Sequence, residues 1–73
     1  MHDATLKKRS VTIQGHRTSV SLERAFWDAL KDAADAEGIS VNALIAHIDE
    51  GRQGNLSSAI RVWLLSRASQ AEN

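Results

Sequence analysis

The stretch Ser10-Val11-Thr12-Ile13-Gln14-Gly15-His16-Arg17-Thr18-Ser19-Val20-Ser21-Leu22 decides the fold. Its two halves alternate polar and apolar residues and are rich in β-branched side chains, the pattern of half-buried strands. The apolar parity is odd in the first half (Val11, Ile13) and even in the second (Val20, Leu22), so one uninterrupted strand would aim them at opposite faces. The chain must therefore change course at Gln14-Gly15. A two-residue hairpin turn there pairs Ile13 with His16 and Val11 with Thr18, gathering Val11, Ile13, His16, Thr18, Val20 and Leu22 on one face. A glycine bulge repairs the parity by adding one residue instead. The hairpin is the expected repair, because it places every apolar strand residue on one face. Under either, Arg17, Ser19 and Ser21 share the opposite, polar face with Ser10 and Thr12.

Working outward, residues 1–9 lack periodicity and end in Lys7-Lys8-Arg9, a basic N-terminal arm. Residues 10–73 make up the domain. A first helix is expected after Ser21 as N-cap, with Glu23 in the first turn, an apolar stripe of Leu22, Phe26, Leu30, Ala33 and Ala34, and Gly38 as its stop. Trp27 falls beside that stripe and reads as an anchor for a partner or a second copy. Ser40 caps a second helix with Val41, Leu44, Ile45 and Ile48 on its apolar face. Gly51 to Asn55 reads as a loop, and Asn55 or Ser57 opens a third helix with Leu56, Ile60, Trp63 and Leu64 on one stripe. The fold class is mainly α with a short N-terminal β element.

At 73 residues the chain forms one domain at most, and single cores below roughly 70–80 residues usually need disulfides, a metal or a partner subunit. With no cysteine, disulfides and thiolate zinc sites are excluded, and association becomes the expected remedy. Apolar runs such as Val62 to Leu65 are far short of a membrane span, and the N-terminus lacks a signal-peptide core, so a soluble cytoplasmic protein is expected. His2, His16 and His47 have no metal-ligand spacing, and no nucleophile motif frames any serine. So small a chain also leaves little room for a pocket of roughly 300 Å³ or more. No enzyme, metal or cofactor is expected.

Net charge is zero, but its distribution is polarised. From Met1 to Arg24, Lys7, Lys8, Arg9, Arg17 and Arg24 outweigh Asp3 and Glu23 by three; from Ala25 to Glu50, six carboxylates oppose Lys31 alone. A basic front and an acidic middle result.

The order strand element, capped helix, glycine turn and second capped helix, with Gly38-Ile39-Ser40-Val41-Asn42 at the junction, resembles the ribbon-helix-helix superfamily of the Arc and methionine repressors. The likeness runs from about Arg17 to Ile48. The stretch from Lys8 to Glu23, together with Asn55-Leu56-Ser57-Ser58-Ala59, is also similar to a group of short bacterial ribbon-helix-helix proteins. The resemblance implies an intertwined homodimer with an extra C-terminal helix, whose paired strands enter the major groove of double-stranded DNA to regulate transcription. It carries base contact onto Arg17, Ser19 and Ser21, and phosphate contact onto Ser40, Val41 and Asn42 at a helix N-terminus, where free amides favour an anion. Lys7, Lys8 and Arg9 join them as phosphate contacts. Two hairpins in one dimer would form four strands, wider than the ribbon a roughly 12 Å groove admits. The alternative function is a dimeric protein-interaction module that binds another protein through its acidic middle or third helix.

Overall fold

A computed structural model of the chain describes residues 5–52 and 54–71. Strand β1, Leu6–Ile13, and strand β2, His16–Glu23, form an antiparallel hairpin in which Val11 faces Thr18 and Ile13 faces His16. The parity flip is thus a hairpin rather than a bulge. Gln14 and Gly15 both have positive φ, 51° and 80°, the backbone of a tight turn whose twist matches that of the flanking strands.

The strands reach further than periodicity suggested, at both ends. Lys7, Lys8 and Arg9 lie within β1 and pair with Leu22, Ser21 and Val20, so these three are ladder residues rather than part of an arm. Residues 1–4 of the expected arm lie outside the described residues. On the other strand the ladder runs through Ser21 to Glu23, and helix α1, Arg24–Glu37, begins only afterwards. Ser21 therefore caps no helix: Glu23 holds the N-cap position, without a side-chain capping bond, and Leu22 is a strand residue. The continuous ladder satisfies backbone groups that a cap at Ser21 would have left to side chains.

Later boundaries follow local chemistry. Gly38 ends α1 in the left-handed conformation at φ 70°, its N–H reaching the carbonyls of Ala34 and Asp35. Ser40 caps α2, Val41–Glu50, by accepting the Ala43 N–H at 3.0 Å. Asn55, not Ser57, caps α3, Leu56–Ala71, accepting the Ser58 N–H at 2.8 Å.

All five elements contribute to one core. Val11, Ile13, Val20 and Leu22 from the hairpin meet Trp27 and Leu30 of α1, Leu44, Ile45 and Ile48 of α2, and Leu56, Ile60 and Leu64 of α3. His16 and Thr18, at the same strand parity, sit at the rim, exposed and half-buried respectively. The two tryptophans do not take the places expected of them. Trp27 is only 3% exposed and belongs to the core, whereas Trp63 is half-buried at its edge. A stripe that starts at Leu22 starts on a residue that is not helical; counted from Leu30, the core position three residues earlier is Trp27. The two strands pair within the chain, and the hairpin's apolar face is covered by its own helices. Among the described residues no helix is long and apolar enough to cross a membrane.

Candidate nucleic-acid interface

Opposite the core the hairpin presents a polar face. The register brings together Thr12 and Arg17, Ser10 and Ser19, and Lys8 and Ser21, three cross-strand pairs at the same parity. Ser21 is half-buried and the other five are exposed. Two cations thus stand at diagonally opposite corners of a patch of four hydroxyls. Arg17 and Ser21 are four strand residues apart, about 13 Å along β2.

Glu23 has the same parity, but its carboxylate is turned onto α3. Arg61 grips one carboxylate oxygen with two nitrogens, Nε at 2.9 Å and Nη2 at 2.8 Å, while its guanidinium lies 5.8 Å from the Phe26 ring centroid. The Glu23 carboxyl is held below its usual pKa, first by its own backbone N–H and then by the hydrogen bond from Arg61. The carboxylate that continues this face along β2 is therefore already paired, and Lys8 and Arg17 are the charges within the patch itself.

The expected basic trio divides. Lys8 joins Arg17 on the open face, whereas Lys7 and Arg9 have the parity of the core side. The Arg9 guanidinium lies 5.3 Å from the Trp27 ring centroid, and the Trp27 indole N–H donates to the Lys7 carbonyl at 2.9 Å. Lys8 beside Ser21 was not legible as a face residue while residues 7–9 read as an arm. The signal was present, because extending the pairing of Val11 with Thr18 by three residues lands on it. Ser40, Val41 and Asn42 lie at the start of α2, where Ser40 is committed to its cap and Val41 is half-buried. His16 and His47 are exposed, His2 lies outside the described residues, and no group of three metal-binding side chains occurs among the described residues.

Comparisons place this geometry among known proteins. No curated protein matches the chain. An uncharacterized protein from Bordetella pertussis Tohama I has a solved structure similar to this one, with a TM-score of 0.79 and 33% identity. The match covers 97% of this chain and 62% of that one, so the chain spans about three fifths of that relative's length. The family model of the ribbon-helix-helix domain, whose members typically bind DNA as dimers, matches residues 6–68. Hairpin, three helices and family match agree: the chain belongs to the ribbon-helix-helix domain family.

Proposed function

We propose that the protein is a homodimeric DNA-binding regulator of transcription that turns the outward face of its hairpin toward DNA. The observation that carries the reading is the polar patch of Lys8, Ser10, Thr12, Arg17, Ser19 and Ser21, cationic at two corners and flanked by a carboxylate already bound to Arg61.

The two edges of the hairpin indicate how a dimer would form. In a ladder closed by a two-residue turn, Ile13 with His16 and Val11 with Thr18 are hydrogen-bonded pairs, so the backbone groups of Arg17, Ser19 and Ser21 point away from β1. From Thr18 to Leu22 that edge bears no charge, whereas the β1 edge carries Lys7, Lys8 and Arg9, and charged edges discourage strand addition. Pairing β2 with its counterpart in a second copy yields four strands. A groove of roughly 12 Å admits the central two, which carry Arg17, Ser19 and Ser21; the β1 strands then lie over the flanking backbones with Lys8 toward phosphate. Arg17 is suited to base reading, because its planar fork can bridge guanine O6 and N7. Free amides at Val41 and Asn42, beside the Ser40 cap, favour a backbone phosphate.

Gel shifts on the protein's own upstream DNA and on random duplex, at one stated salt concentration, test this. Arg17→Ala should cost about 1–3 kcal/mol per subunit on the specific duplex while leaving folding nearly unchanged. Lys8→Ala should weaken both duplexes alike and flatten the salt dependence, since phosphate contacts carry no sequence information. Ser19→Pro, which removes an edge N–H, should abolish pairing through β2 and DNA binding together. If the folded Arg17→Ala and Lys8→Ala variants bind both duplexes like the wild type, the hairpin is not the reading head. The second reading, an interaction module that keeps the fold, is favoured by the exposed apolar face of α3 and predicts association that persists at high salt.

A further inference from the structure

Exposed helix surfaces in this chain come in two kinds. Along α1 the exposed positions include Arg24, Asp28, Lys31, Asp32, Asp35 and Glu37, the mixed charge of a solvated face. Along α3 the outward arc is Ser58, Val62, Leu65, Ser66 and Ser69, without a single charge. Val62 is 62% exposed and Leu65 63%. The two arginines of the helix do not relieve this, because Arg61 is drawn to Glu23, while Arg67 lies 3.7 Å from Glu37 and 5.7 Å from the centroid of Trp63. Beside the ridge of Val62 and Leu65 runs an open groove of about 770 Å³ between α2 and α3, with Ile48, Ala59, Val62 and Trp63 lining it and Glu50 and Arg52 at its margin. It is roomier than a chain of this length led one to expect.

We propose that this face is an interface between two copies of the chain, in which the Val62–Leu65 ridge of each copy seats in the α2–α3 groove of the other. A two-fold interface sets one patch against itself, so it needs ridge and groove on the same surface and tolerates no excess of one charge. Here Val62 belongs to both ridge and groove, and the arc is neutral. Glu50 and Arg52 supply opposite signs at the margin, so each copy's carboxylate can meet the other's guanidinium. Arg52 is already steadied by Asp49 at 2.8 Å, and among the described residues Glu50 is met by exposed His47 at 3.9 Å. The serines at 58, 66 and 69 allow close helix approach, as small residues do. An anionic partner such as nucleic acid or a lipid surface would want cations on this arc, and it has none. The surface lies on α3, apart from the β2 edge, so it does not depend on the DNA reading; if both interfaces form, the assembly is a tetramer.

Sedimentation equilibrium over a wide protein concentration range tests the proposal. Val62→Glu with Leu65→Glu should keep the helical circular dichroism signal and weaken self-association at least about a hundredfold, because carboxylates from both copies meet across the axis. The same pair replaced by lysines should be equally impaired alone, and mixing the Glu and Lys variants should restore association, which a merely structural role for these residues would not do. With Ser19→Pro in the background the effect should persist as a dimer-to-monomer shift, separating this interface from the one at β2. Wild-type and Glu-variant association constants that agree, or mixed variants that stay apart, would overturn it.

Discussion

The two strands of the hairpin have the same length, yet the chain fastens them by different means. β1 has no helix directly attached; its basic end is held by Trp27, which donates to the Lys7 carbonyl and lies against the Arg9 guanidinium. β2 runs directly into α1, and its last residue is tied to α3 by the Glu23–Arg61 pair. One strand is secured by a buried ring, the other by chain continuity and a half-exposed ion pair. A cationic edge is thereby ordered on one side, while the other edge bears no charge from Thr18 to Leu22. The contrast predicts that β1 depends on core packing and β2 on electrostatics.

The most damaging way to break the contrast is to remove the ring. Trp27→Ala empties a core position and removes the indole N–H that the Lys7 carbonyl accepts, so a loss of about 3–5 kcal/mol in unfolding free energy is expected. Amide exchange should rise first from Leu6 to Arg9 and much less from Thr18 to Leu22. Equal loosening of both strands would show that Trp27 stabilises the hairpin as a whole rather than β1 in particular.

A smaller effect is expected where the strands join. Gly15→Ala places a side chain at φ 80° with nothing within 4 Å of the new Cβ, so its cost comes from the backbone alone, about 1–2 kcal/mol. Gln14→Asn at φ 51° should stabilise by a few tenths of a kcal/mol, since Asn-Gly is the preferred sequence for such a turn. Chemical denaturation of both variants checks the pair, and a neutral Gly15→Ala would mean that the turn is not constrained as its φ values imply.

These same residues show which parts of the fold were readable beforehand. The hairpin was legible because a change of strand parity beside a glycine has few geometric solutions. Gly38, Ser40 and Asn55 were legible because capping is local chemistry. The join of β2 to α1 was not: Ser21 is a good cap in isolation, and only pairing with Lys8, a tertiary fact, keeps it in the strand. Choosing Trp27 over Phe26 for the core likewise required knowing where the far end of β1 lies. Of the candidate interface, Arg17, Ser19 and Ser21 followed from parity alone. Lys8 was hidden because a run of three charges carries no alternation and becomes a strand only through its partner.

The smallest expected effect tests the other fastening. The Glu23 carboxyl is held below its usual pKa by its own backbone N–H and by Arg61, so its folded pKa lies under its unfolded value, roughly 4.3. A depressed carboxylate contributes stability that is fully present above the unfolded pKa and is lost as the pH falls through the folded one. Glu23→Gln should therefore be less stable than the wild type at pH 7, and the gap between their urea midpoints should close as the solution is acidified from roughly pH 5 downward. Other carboxylates titrate in both proteins, so the difference between the two curves, rather than either alone, reports this pair. Arg61→Met should remove most of the same pH-dependent gap, because it takes away the partner while keeping much of the side-chain bulk. Salt should shrink the gap too, since the pair is only half-buried. A gap that stays constant between pH 7 and pH 3 would mean that Glu23 steadies the end of β2 through packing, and the two strands would then be fastened alike.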